Sequence, residues 1–132
     1  MTKRTGGCQC GAVRYEVTGE PLDTGYCHCS ICRRLSGGPA QVYAEFPAEA
    51  VRYIKGAPSI YRSSEGAQRR FCPTCGSHLE FRDRDHPESI SIEAMTLDRP
   101  GDLPPRRHIF EADRLPWFQV TDDLPRHARG ED

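Results

Sequence analysis

A chain of 132 residues has room for one domain, yet only 36% of it is hydrophobic, so its core is thin for its length. Lys and Arg number 18 against 19 Asp and Glu, a formal net charge of −1, which excludes the strong field that draws a protein to nucleic acid or to a membrane surface. No run approaches the roughly 20 apolar residues of a membrane-spanning helix, and residues 1–7 carry no apolar stretch behind Lys3 and Arg4, so no secretory leader is expected and the chain reads as cytoplasmic.

Residues 12–18 alternate apolar and polar side chains, the period of a half-buried strand. Residues 30–35 read as one or two helical turns, ended by Gly37-Gly38. Further short strands are expected at 41–46, 59–62, 78–82 and 89–94, with 83–86 as a solvated hairpin tip. Arg69-Arg70 is too short a basic run to argue for nucleic acid. Residues 99–105, with three prolines and a glycine, form a loop. Trp117 in Leu115-Pro116-Trp117-Phe118 is expected in the core, and the polar stretch 125–132 is expected to fray. The reading is a mainly β, single-domain fold spanning 1–132, with short antiparallel sheets and at most one or two helical turns.

Seven cysteines fall into three clusters: Cys8-Gln9-Cys10, Cys27-His28-Cys29-Ser30-Ile31-Cys32 and Cys72-Pro73-Thr74-Cys75. Such clustering in a reducing compartment points to metal ligands rather than disulfide staples. On extended backbone, residues i and i+2 face one side, so Cys8 and Cys10 can offer two thiolates to one ion. Cys72-Pro73-Thr74-Cys75-Gly76 is a Cys-x₂-Cys knuckle, with Gly76 free to take the positive φ that follows such a turn. It needs a second pair to complete a tetrahedron. Cys27, Cys29 and Cys32 remain as a set of three. His28 lies between two of them, so on extended backbone it points to the opposite face, which leaves a fourth position for water or a substrate thiol. The competing readings are unrelated buried thiols, a thioredoxin-like pair, for which the βαβ context is missing, and a zinc protein without chemistry.

Three thiolates would give a zinc ion a net charge of −1 and make it a weak activator of water. A soft sulfur ligand suits it better. A coordinated thiol loses its proton, and the thiolate is the nucleophile of thiol chemistry. The residues therefore point to a small thiol or thiol adduct as ligand.

These motifs resemble the glutathione-dependent formaldehyde-activating enzyme family, which also includes centromere protein V-like proteins. The matching elements are Gly7-Cys8-Gln9-Cys10-Gly11, Val13-Arg14-Tyr15, Cys27-His28-Cys29-Ser30-Ile31-Cys32-Arg33-Arg34, Gly56, Tyr61, Ser63, Phe71-Cys72-Pro73-Thr74-Cys75-Gly76-Ser77, Leu97-Asp98, Pro105, His108-Ile109 and Trp117. The resemblance implies a β-rich zinc fold of the β-tent type with two zinc ions per chain. It implies a structural zinc on Cys8, Cys10, Cys72 and Cys75 and a catalytic zinc on Cys27, Cys29 and Cys32. The implied activity is that of a carbon–sulfur lyase, interconverting glutathione plus formaldehyde with S-hydroxymethylglutathione. The partners would be a small thiol and a small carbonyl. The alternative is a non-catalytic, zinc-stabilised binding module of the same fold. Among other residues, His108 could face the open zinc as a proton shuttle, its bland alternative being a packing or surface histidine. Arg33 or Arg34 could pair with a substrate carboxylate.

Overall fold

Short alternating segments cut by glycine and proline build sheets rather than helices. In the computed structural model, which describes residues 1–130, ten strands form. They are β1 (Lys3–Gly7), β2 (Arg14–Thr18), β3 (Asp23–Cys27), β4 (Gln41–Pro47), β5 (Val51–Lys55), β6 (Ser59–Ser64), β7 (Ala67–Phe71), β8 (His78–Asp83), β9 (Ser89–Glu93) and β10 (His108–Ile109). One α-helix, α1 (Ser30–Ser36), interrupts them, ended by Gly37 at φ +73°. A three-stranded sheet runs β1-β2-β5 and a seven-stranded sheet runs β10-β3-β4-β9-β8-β7-β6. Every pairing is antiparallel except β10 with β3.

The two-residue period divides each strand between two faces. Val42, Ala44 and Phe46 of β4 and Ile90 and Ile92 of β9 meet Val13, Tyr15 and Val17 from the small-sheet side, forming the core. The intervening residues Gln41, Tyr43, Glu45, Ser89 and Ser91 line a cleft on the other side of the large sheet. Apolar residues thus hold the sheets together while polar ones face the cleft.

The expected strands form, with shifted ends, but β1, β3, β5, β7 and β10 were not anticipated. Their sequences, such as Ala-Gln-Arg-Arg-Phe in β7, lack clean alternation, and pairing with neighbours fixes them instead. Cys8 and Cys10 do not lie on a strand. They sit in a turn, where the Gly11 N–H bonds the Cys8 carbonyl at 3.2 Å and Gly11 takes φ +84°. The loop at 99–105 contains one 3₁₀ turn, Pro100–Asp102.

Two expectations fail near the C-terminus. Trp117 is 72% exposed. Arg114 Nη1 donates to the carbonyls of Leu115 and Phe118 at 3.2 and 2.9 Å, and it is Phe118 that packs beside the His28 ring. The segment from Pro125 onward does not fray. The His108 N–H bonds the Pro125 carbonyl, the His127 N–H bonds the His108 carbonyl, both at 2.8 Å, and the Phe110 N–H bonds the Arg129 carbonyl at 2.9 Å. Residues 131 and 132 lie outside the described residues. Among the described residues, no helix is long and apolar enough to cross a membrane.

Gly56 stands at φ +65°, and a Cβ there would lie 2.2 Å from the Ala12 carbonyl oxygen. The strained backbone alone is worth about 1–3 kcal/mol. Gly56→Ala is therefore expected to lower unfolding free energy by about 2 kcal/mol or more in a denaturant titration, and a neutral substitution would contradict this packing.

Candidate metal centres

Two turns bring four thiols together from opposite sheets. Cys8 and Cys10 follow β1 of the small sheet, whereas Cys72 and Cys75 join β7 to β8 of the large one. Gly76 takes φ +82° behind the second pair, as its place in the knuckle requires. The four sulfurs lie within 4.8 Å of one another. Cys8 Sγ is 3.6 Å from Cys10 Sγ, which is 3.8 Å from Cys72 Sγ. A tetrahedral ion with bonds of about 2.3 Å to sulfur would set these edges at about 3.8 Å, so the spacing fits a tetrathiolate ion. Backbone N–H groups point at the sulfurs: Val13 to Cys8 at 3.3 Å, and Thr74 and Cys75 to Cys72 at 3.3 and 3.4 Å. The Ser77 hydroxyl first, then backbone N–H groups, hold the Cys75 thiol down at about 5. No disulfide joins any of the seven cysteines.

The second group is Cys27, Cys29 and Cys32, whose sulfurs also lie within 4.8 Å of one another. Cys27 ends β3, Cys29 caps α1 by accepting the Cys32 N–H at 3.3 Å, and Cys32 sits in its first turn. Helix start and metal-ligand spacing are thus one device. Hydrogen bonds from Cys27, then Cys32, pull the Cys29 thiol down to about 2. The same crowding pushes Cys27 far up, chiefly through Cys29. Cys32 gains from its bond with Cys27 but ends near 11 because of Cys29 and burial. Three thiols alone therefore hold one negative charge. A cation among them would allow the other two to ionise, so the donor set suits a soft divalent ion. No fourth protein donor joins this group among the described residues.

His28 turns away from the thiols, as the alternation requires. Its Nε2 meets His108 Nδ1 at 2.9 Å, and His108 Nε2 lies 3.0 Å from Asp122 Oδ2. The carboxylate can only accept, so His108 Nε2 donates to it, and the other ring nitrogen, Nδ1, is left to face His28 Nε2. Burial opposes ionisation of Asp122, but bonds from His108 and Arg126 hold its carboxyl near 2. Glu111 Oε2 lies 3.5 Å from His28 Nε2, making a third cluster of donor atoms. The two imidazole planes are nearly parallel, at 19° with centroids 5.1 Å apart, and the 2.9 Å Nε2–Nδ1 separation is that of a direct hydrogen bond. His108 is buried and does not line the cleft, so its link to the cysteines runs through His28. Arg33 is half-buried and also lies outside the cleft, donating to the carbonyls of His28 and Asp113 at 2.6 and 2.7 Å, and Arg34 is exposed outside the cleft.

The three thiols form one wall of a cleft of about 680 Å³ that also includes Gln41, Tyr43, Arg69, Phe81 and Arg107. Sequence reasoning passed over Arg69. Its guanidinium reaches Cys32 Sγ at 4.0 Å and lies 4.5 Å above the Phe81 ring. No local signal marked it: pairing with β6 and β8 makes this segment a strand and puts Arg69 and Arg70 on opposite faces of the sheet.

Against this geometry, comparison with known proteins is informative. The family model described as glutathione-dependent formaldehyde-activating enzyme matches residues 3–113. A Halomonas elongata protein, provisionally named a glutathione-dependent formaldehyde-activating enzyme, is 31% identical over 124 residues, 87% of this chain and 79% of that protein. A Schizosaccharomyces pombe protein described as an uncharacterized lyase is 30% identical over 81 residues, 61% of this chain and 58% of its own. The crystal structure of a Rhodobacter sphaeroides protein superposes with a TM-score of 0.62 at 32% identity, covering 75% of this chain and 94% of that one. The chain belongs to the glutathione-dependent formaldehyde-activating enzyme family.

Proposed function

We propose that the chain is a two-zinc carbon–sulfur lyase of one catalytic domain, acting on a small thiol and a small aldehyde. Glutathione and formaldehyde, named by its family, are the leading pair. Cys8, Cys10, Cys72 and Cys75 hold a structural ion, and Cys27, Cys29 and Cys32 hold the catalytic one. The observation that carries this reading is the three-thiol group, without a fourth protein donor, on the wall of an open cleft. Clustered thiols persist in a reducing compartment, and we read the chain as cytoplasmic.

Zinc held by three thiolates supplies a position where a thiol binds as its thiolate. The chain's own residues prepare that position. The Cys32 N–H fixes Cys29 Sγ, and α1 sets Cys32 one turn away. Arg69 places a buried positive charge beside the thiolates. Phe81 and Ile109 give the cleft apolar wall on which a small carbonyl can rest. In the forward direction the substrate sulfur forms a bond to the carbonyl carbon and the carbonyl oxygen takes up a proton. In reverse, the carbon–sulfur bond breaks and that proton leaves. His108 serves as a positioning residue, bracing His28 between two ligands.

Metal analysis of replete protein is expected to give about two zinc per chain. Cys72→Ser should lose one ion and at least ~3 kcal/mol of stability, because structural zinc binding is folding energy, whereas Cys29→Ser should lose the other ion at smaller cost. A single ion in the wild type would break the four-plus-three division. Because thiols must lose their protons to bind metal, both ions should dissociate as pH falls, which a zinc-indicator titration would follow.

Loaded protein mixed with glutathione and formaldehyde should accelerate adduct formation, followed by loss of free thiol, and Cys29→Ser should reduce the rate by about 10²-fold or more. No thiol-dependent turnover across a panel of thiols and aldehydes would refute the enzyme reading. His108→Ala is expected to lower stability and activity together, as removal of a buried brace would. Lost activity with unchanged stability would instead identify His108 as the proton shuttle.

A further inference from the structure

The cleft is unevenly charged. Asp23, Glu45, Asp83 and Glu88 contribute carboxylates to it, while its only guanidinium groups are those of Arg69 and Arg107. Arg107 is already engaged, donating through Nε and Nη2 to Asp23 Oδ2 at 3.0 and 2.5 Å. Arg69 is not. It is 8% exposed, no carboxylate lies within ion-pair distance of it among the described residues, and its Nε is buried without a partner. Its one polar contact is the 4.0 Å approach of Nη1 to Cys32 Sγ, and Phe81 holds the guanidinium plane from the side. A buried guanidinium with an open fork is an unfinished interaction, and the planar fork matches a carboxylate.

Beside it, Gln41 is also buried, with a carbonyl oxygen that has no partner. It stands directly across from Cys27 in the β3–β4 register. The wall next to the three thiols therefore offers polar groups to a ligand. Elsewhere in the cleft the unpaired charges are negative and would repel an anion.

We propose that Arg69 is a specificity-determining residue that receives the carboxylate of the thiol substrate, so that the site selects thiols bearing a carboxylate a few bonds from sulfur. The inference rests on the reading of the three-cysteine site as a thiol site. The position fits: a sulfur joining the three thiolates would sit about 3.8 Å from Cys32 Sγ, which itself lies 4.0 Å from Arg69 Nη1. A short mercaptocarboxylate spans that interval, whereas a neutral thiol leaves the guanidinium unmet.

The test is calorimetric titration of the zinc-loaded protein with 3-mercaptopropionate, 2-mercaptoethanol and propionate, compared at equal thiolate concentration. The wild type should bind 3-mercaptopropionate at least tenfold more tightly than 2-mercaptoethanol, and propionate more weakly than 3-mercaptopropionate. Arg69→Gln should weaken 3-mercaptopropionate by tenfold or more and 2-mercaptoethanol by less than threefold, while Arg69→Lys, keeping charge but losing the fork, should fall between. Equal binding of the two thiols by wild type would overturn the assignment. So would an Arg69→Gln effect of the same size on both, which would make Arg69 a counter-charge to the thiolates, or propionate binding as tightly as the mercaptocarboxylate. Failure of both thiols to bind would sink the thiol-site reading itself and this inference with it.

Discussion

Mutual repulsion among crowded thiolates governs this molecule. Sulfurs as close as those of Cys8 and Cys72 are to Cys10, 3.6 and 3.8 Å, cannot all carry charge without a cation between them. The four-cysteine group draws its members from both sheets, so an ion bound there would relieve the repulsion and tie the sheets together. Cys8 and Cys72 belong to the same core cluster as Tyr15, Phe46 and Leu79. For a chain with little apolar material, such an ion would supply part of the closure of the core. The second thiol group has one cysteine fewer and opens onto the cleft, so an ion held by its three thiolates would have room for a fourth ligand.

The seven-stranded sheet divides the labour between its faces. Ile90, Ile92, Ala44 and Phe46 look inward to the small sheet, and their neighbours one residue away look outward to the cleft. Stability and recognition are therefore written in alternate letters of the same strands. A one-residue slip in register would exchange the two faces. Pairings such as Glu45 with Ser91 and Gly25 with Tyr43 fix that register.

The grouping of the cysteines was legible because their spacing is local. Cys-x₂-Cys and Cys-x-Cys-x₂-Cys specify turns that form wherever the chain carries them, and α1 emerges from the second motif with Cys29 as its cap. Strands with clean alternation were legible for the same reason. What escaped was set by long-range pairing. β7 reads as a polar segment until β6 and β8 flank it, and only then does Arg69 acquire a face and a cleft. Cys8 and Cys10 converge through a turn closed by Gly11 rather than through strand alternation; the same two residues reach one ion by a different backbone path. His108 carried no local sign that its partners would be His28 and Asp122, each contributed from a distant part of the sequence.

The pairing of β10 with the segment beyond Pro125 gives the two thiol groups different birth times. Domains fold as the chain emerges, N-terminal parts first. All four cysteines of the cross-sheet group have been made once Cys75 is added, when little more than half of the 132 residues exist. The three clustered cysteines are made earlier still, yet their backing through His28 and His108 waits for Asp122 and for the Pro125 and His127 backbone. During synthesis the four-cysteine group can therefore be assembled first, and the three-cysteine group gains its backing only once residues 122–127 have been made. A nascent chain would thus carry a closed structural site well before it could present a finished thiol-binding surface.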